Sequence, residues 1–182
     1  MSALDVFMTA ERPDVLHSAI LAGWRGGLAH GMYTPGLNSI DDKDVMYICV
    51  PPLDHYYGLG EFGSRGTIEV KKGEWDIVAY EVRKFIRLLA QGNPNVLSLL
   101  WLRPEHYILR TVAGDLIIQN RQLFVGRHVY DSFCGYASAQ IERMTKVAYT
   151  DKAYQCSKRK QQFEHFGFDC KAAMHAIRLL RM

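Results

Sequence analysis

No stretch of the 182-residue chain approaches the roughly 18 consecutive apolar residues that a membrane span requires, so no membrane partner is expected. The opening MSALDVFMTAERPDV has neither a basic start nor a long apolar stretch, and it does not read as a secretory signal. Cysteine is sparse. Cys49, Cys134, Cys156 and Cys170 show no CxxC spacing and no histidine set for zinc, which leads us to expect a reduced, cytoplasmic protein with buried thiols. A strong charge of one sign is also missing, since a net charge of +3 is too small to announce a nucleic-acid binder. Internal repeats and low-complexity segments are absent. What remains is an ordinary globular composition, 48% hydrophobic and 23% charged, sized for one domain or a small core with an appended lobe.

The chain reads as strands first and helices later. LHSAILA, residues 16–22, is a short apolar strand running into the glycine-rich GWRGGLAHG, and MYTPGLNSI after it has loop composition. DVMYICV, residues 44–50, is β-branched and aromatic, and Pro51-Pro52 stops it. GTIEV and EWDIVAYEV form a hairpin about Lys71-Lys72-Gly73. The period then changes: Val82, Phe85, Ile86, Leu88 and Leu89 recur at helical spacing, and Gly92 ends that helix. Asn93-Pro94 caps another helix over VLSLLWL, and the remainder reads as mostly helical, with its longest segment at 129–149. KAAMHAIRLLRM closes without a terminal glycine, proline or polar fraying, so the natural protein is expected to continue beyond Met182.

Charge is unevenly spread. Residues 41–81 hold the acids Asp41, Asp42, Asp44, Asp54, Glu61, Glu69, Glu74, Asp76 and Glu81 against Lys43, Arg65, Lys71 and Lys72. Residues 150–182 hold Lys152, Lys158, Arg159, Lys160, Lys171, Arg178 and Arg181 against three acids. An acidic centre and a basic end suit a site that holds cations and recruits an anion, and they also suit two solvated surfaces. The stretch NSIDDKDVMYICVPP, residues 38–52, is sharper, because its aspartates stand where a strand enters a core.

On an extended chain Asp42 and Asp44 face the same side, about 7 Å apart. Like charges in a partly dry site repel unless a cation lies between them. A hard divalent ion supplies that cation, and Mg²⁺ is satisfied by one or two carboxylates plus substrate phosphates. Asp76, among Trp75, Ile77, Val78 and Ala79, is the candidate third carboxylate, which would permit a two-metal phosphoryl-transfer site. An isolated DxD is more often a solvated loop than a metal site, but here a glycine turn precedes it. Backbone amides in GWRGGLAHG suit an anion, and Arg25 adds a charged fork. His30 and His55 read as loop histidines, Ser64 as loop, and Tyr56-Tyr57 as a packed loop.

The order strand, glycine turn, DxD strand, hairpin with a single aspartate resembles the DNA polymerase β-like nucleotidyltransferases. Within that superfamily the chain is most similar to the nucleotidyltransferases grouped with RNA-repair pathways. GWRGGLAHG, DDKDVMYICVPPLDHYYGL, WDIVAYEVRKFIRLLAQGNPNVLSLLW, SFCGYASAQIERM and GFDCKAAMHAIRLLRM carry the likeness, from about residue 16 to the end.

The resemblance implies an α+β fold: a small mixed or antiparallel sheet with flanking helices as the catalytic core, residues 1–92, and a mostly helical lobe, residues 93–182. It implies that Asp42 and Asp44 hold two Mg²⁺ ions (or Mn²⁺), and that Asp76 holds one and activates the attacking hydroxyl. Gly23, Trp24 and Arg25 would then hold the triphosphate of an NTP, with Lys171, His175 and Arg178 as basic positions of the C-terminal helix. Those three share a helical face at i, i+4 and i+7, which would also be available as an exposed basic stripe. The expected reaction moves a nucleoside monophosphate onto a hydroxyl, with an RNA 3′ end favoured and a protein acceptor open. Two features depart from the family: Trp24 stands where it has serine, and the loop from Gly23 to Asp42 is longer. They keep open a catalytically weakened binding or regulatory module. Oligomeric state is not legible.

Overall fold

The computed structural model describes residues 17–31, 43–145 and 157–182, excepting the side chains of 145, 157–160 and 162. The N-terminal stretch, the loop MYTPGLNSI, Asp41, Asp42, Lys152 and Cys156 lie outside the described residues.

Strand β1, Ala19–Trp24, leads into a single helical turn, α1, Gly26–Ala29. Strand β2, Lys43–Cys49, is buried at Val45, Met46, Tyr47, Ile48 and Cys49, as a strand covered on both faces must be. A short helix, α2, Leu53–Tyr57, follows. The expected hairpin is β3, Thr67–Lys72, and β4, Trp75–Glu81, with Gly73 at φ +57° in its turn. Helix α3, Val82–Ala90, buries Phe85 and Leu89, and Gly92 at φ +66° follows it.

Glu81 starts α3. Its carboxylate accepts from the backbone amides of Arg83 at 2.8 Å and Lys84 at 3.0 Å, and from the Tyr56 hydroxyl at 2.9 Å. Three donors satisfy a carboxylate that is only 6% exposed, and its charge suits a helix N-terminus.

The helix expected at Asn93 is shorter than its composition suggested. Helix α4, Pro94–Leu97, is one turn, and Ser98–Trp101 tightens into a 3-10 turn, with Ser98 bonding the Asn95 carbonyl. The following stretch is not all helical either. Tyr107–Arg110 is strand β5, alternately half-buried and exposed, and it pairs with β1. Helix α5, Val112–Gln119, starts on Thr111, whose hydroxyl accepts from the Gly114 amide and donates to the Ile20 carbonyl.

The five strands run in the order β3-β4-β2-β1-β5. All neighbours are antiparallel except the central pair, β2 and β4, which are parallel and in register from Lys43–Trp75 to Cys49–Glu81. Alternation sorts the faces. Ala22, Val45, Tyr47, Ile68, Trp75, Ile77 and Ala79 form a core on one, with Trp24 packed against it. Asp44, Asp76 and Gly23 lie on the other.

The chain forms two compact units, so it crosses between them more than once. The first comprises residues up to Ala90 and Asn95–Phe124, because β5 returns to the sheet. The second comprises Gln91–Pro94 and Val125–Met182. It holds α6, Arg127–Thr145, α7, Ser157–Phe166, and α8, Cys170–Arg181. Asp169 caps α8 by accepting from the amides of Lys171 and Ala172, and Ala172, Ala176 and Leu179 form its buried stripe. No described helix is long and apolar enough to cross a membrane.

Candidate active site

Asp44 and Asp76 are direct register partners across the parallel pair, so their side chains leave the same face at adjacent positions. Each follows from its strand: both stand one residue inside the strand start, before apolar runs that fix which face is which. Arg25 sits between them. One terminal guanidinium nitrogen donates to Asp76 Oδ1 at 2.9 Å and lies 3.8 Å from Asp44 Oδ1. The Arg25 amide donates to the Asp44 carbonyl at 3.0 Å, which ties the end of β1 to β2. From β3, the mostly exposed Lys71 places its ammonium 3.4 Å from Asp76 Oδ2, as its register opposite Asp76 requires.

The glycine turn borders this pair directly. Gly26 has φ +67°, and a side chain there would collide with Asp44 Oδ2. Gly26 is therefore the glycine moulded around the carboxylate. Gly23 is needed for another reason: a Cβ there would stand 2.5 and 2.9 Å from Leu102 and Leu99, so it serves packing inside β1. Trp24 points to the opposite face, where its indole stacks on Trp75 with centroids 5.9 Å apart and 23° between planes. Lys43 covers the same Trp75 ring at 5.1 Å. The departure from serine thus removes a hydroxyl from the turn without setting an indole beside the aspartates.

The remaining expected site residues that the structure describes belong to the second unit. Lys171, exposed, and the half-buried His175 and Arg178 lie on α8 in the second unit. They flank its buried stripe, which explains the partial burial of the latter two. Burial lowers the Arg178 pKa below the usual arginine value, and its Nε is buried with no hydrogen-bond partner. Asp42 lies outside the described residues. Lys71 and Gly26 carry geometry that the sequence did not single out. Lys71 was readable only as a hairpin residue, and its meaning depends on strand register.

Among the described residues no group of three metal-ligating side chains is assembled. The donor chemistry at Asp44 and Asp76 nevertheless suits a hard divalent cation. Both carboxylates converge on a single positive nitrogen, so the position between them already demands a cation, and oxygen ligands are what Mg²⁺ prefers.

No curated protein matches the chain significantly. The profile of RlaP, the RNA repair pathway DNA polymerase beta family, matches residues 3–181, almost the whole length. With its mixed sheet, its glycine turn and its in-register aspartates, this chain belongs to the RNA repair pathway DNA polymerase beta family.

Proposed function

We propose that the protein is a nucleotidyltransferase dependent on Mg²⁺ or Mn²⁺ that transfers a nucleoside monophosphate from an NTP to a hydroxyl, with an RNA 3′ end as acceptor. The observation that carries this reading is the register pairing of Asp44 with Asp76 beside a glycine turn that closes on Asp44. Bound divalent ions would neutralise phosphate charge and polarise the reacting oxygens. Asp44 and Asp76, with Asp42 by family resemblance, would hold them. The backbone of the Gly26-Gly27 turn and the Arg25 guanidinium would hold the triphosphate, and Asp76 would take the proton of the attacking hydroxyl. Catalysis of this kind rests on positioning and electrostatics.

The test is incubation with each labelled NTP, Mg²⁺ or Mn²⁺, and total cellular RNA and protein. Label at RNA 3′ ends with release of pyrophosphate is expected. Label on protein would redirect the acceptor assignment. A second reading, a nucleotide- or RNA-binding module with weakened catalysis, is favoured by one observation: Trp24 packs into the core where the family has a serine hydroxyl. Binding of NTP or RNA without pyrophosphate release from any NTP would support it over turnover.

A further inference from the structure

The aspartate pair carries its own counter-ions. Asp44 and Asp76 contribute two negative charges, and Arg25 and Lys71, both within 4 Å, contribute two positive ones. Lys71 is 74% exposed at its side chain and is easily displaced, whereas Arg25 is 30% exposed and lies between the carboxylates.

The Arg25 contact is also poorly satisfied for a guanidinium. One nitrogen makes both carboxylate contacts, rather than the bidentate fork that gives arginine–carboxylate pairs their strength. Its Nε is buried with no hydrogen-bond partner. An arginine held this way has donors to offer to a better acceptor. In the adjoining turn Gly26 stands at φ +67°, a conformation that favours glycine, and a Cβ there would crowd Asp44 Oδ2.

We infer that Arg25 is a displaceable internal cation: it occupies the metal position between Asp44 and Asp76 until the phosphates of a nucleotide draw it away. Metal and guanidinium compete for one place, since two cations between the same carboxylates repel. An incoming triphosphate relieves the competition by giving the guanidinium three anionic groups to fork onto. The protein therefore takes up metal weakly by itself and tightly with nucleotide, and by reciprocity nucleotide binds better with metal. This inference rests on the metal-dependent reading above, and names an order of assembly within it.

The test is Mn²⁺ binding to the full chain, followed by the free-ion EPR signal, with and without a non-hydrolysable NTP analogue. Arg25→Gln should bind Mn²⁺ alone about tenfold or more tightly than the unaltered protein, because the competing cation is gone. The same variant should lose most of the cooperativity between Mn²⁺ and the analogue. Asp44→Asn should abolish tight Mn²⁺ binding in either background. Should Arg25→Gln fail to fold, nitrogen NMR of the Arg25 side chain in the unaltered protein reads the same event. Its signal should move when the analogue is added without metal. Equal Mn²⁺ affinity in Arg25→Gln and the unaltered protein, or an unmoved Arg25 signal, would overturn the inference while leaving the metal site in place. Absence of Asp44-dependent Mn²⁺ binding in every arm would overturn both the inference and the nucleotidyltransferase reading.

Discussion

Asp44→Asn and Asp76→Asn each remove one carboxylate from a pair already held by Arg25, so the sheet should tolerate them. Nucleotidyl transfer should fall by on the order of 100-fold in either variant, mostly in kcat, when turnover is assayed with labelled NTP. Unchanged turnover in both would remove the pair from the chemistry. Trp24 makes a different claim. Trp24→Ser restores the family's hydroxyl but empties half of an indole stack, and a loss of about 2–3 kcal/mol in urea unfolding is expected. NTP affinity should change by less than about tenfold, because the indole faces away from Asp44 and Asp76. A larger gain in affinity would show that the turn is impaired as it stands. At this scale the sequence was informative about residue type and silent about partner. Asp44 and Asp76 could be picked out because charge interrupts an apolar run. Arg25 could be read as a phosphate ligand, but its bond to Asp76 spans 51 positions and no local pattern encodes it. The glycines show the same limit: GWRGG marks a turn, while which glycine touches the carboxylate depends on strand ends.

Between β4 and α3, the Glu81 carboxylate joins strand, helix and α2 in one cluster. Glu81→Ala would strand the Tyr56 hydroxyl and two first-turn amides, costing about 2 kcal/mol in a denaturant titration. Tyr56 itself is pushed from 10.0 up to about 12, first by desolvation and then by its bond to Glu81. A raised pKa means that the folded state holds this proton more tightly than the unfolded chain does. The contribution is therefore complete below pH 10 and is lost as pH rises toward 12. Tyr47, also raised to about 12 by burial, acts in the same window. Unfolding free energy measured from pH 9 upward should decline through that window, and less steeply in Tyr56→Phe. Periodicity located β2 to β4 and α3 well, since each carries a run long enough to show its period. By contrast, β1 starts later than residue 16 and takes in Gly23 and Trp24 from the expected turn. Strand β5 escaped because four residues beside helical neighbours carry too little alternation to read. The helix expected after Asn93 is one α turn continued by a 3-10 turn that buries Leu99 and Leu100, a tightening that apolar spacing does not reveal.

Across the whole chain, acid gathers around the sheet and base toward the end, and this bears on a polyanionic acceptor. If RNA is that acceptor, its affinity should fall steeply between low and moderate salt as counterions are released. Lys171→Ala combined with Arg178→Ala should raise KM more than it lowers kcat, since such contacts act on ground and transition states alike. Turnover indifferent to both changes would mean a small or differently held acceptor. Lys171, exposed, should contribute more than the half-buried Arg178.

The Trp24–Trp75 stack has a consequence at this same scale. It joins the end of β1 to the start of β4, the two strands that flank β2 in the sheet. Two indoles 5.9 Å apart couple their electronic transitions, so the native protein should show an exciton couplet in its far-ultraviolet circular dichroism. Because β2 lies between the two strands that carry the indoles, that optical signal is expected to form together with the central parallel pairing. Its growth during refolding times the assembly of the carboxylate pair, and Trp24→Phe should erase it while the helical signal persists.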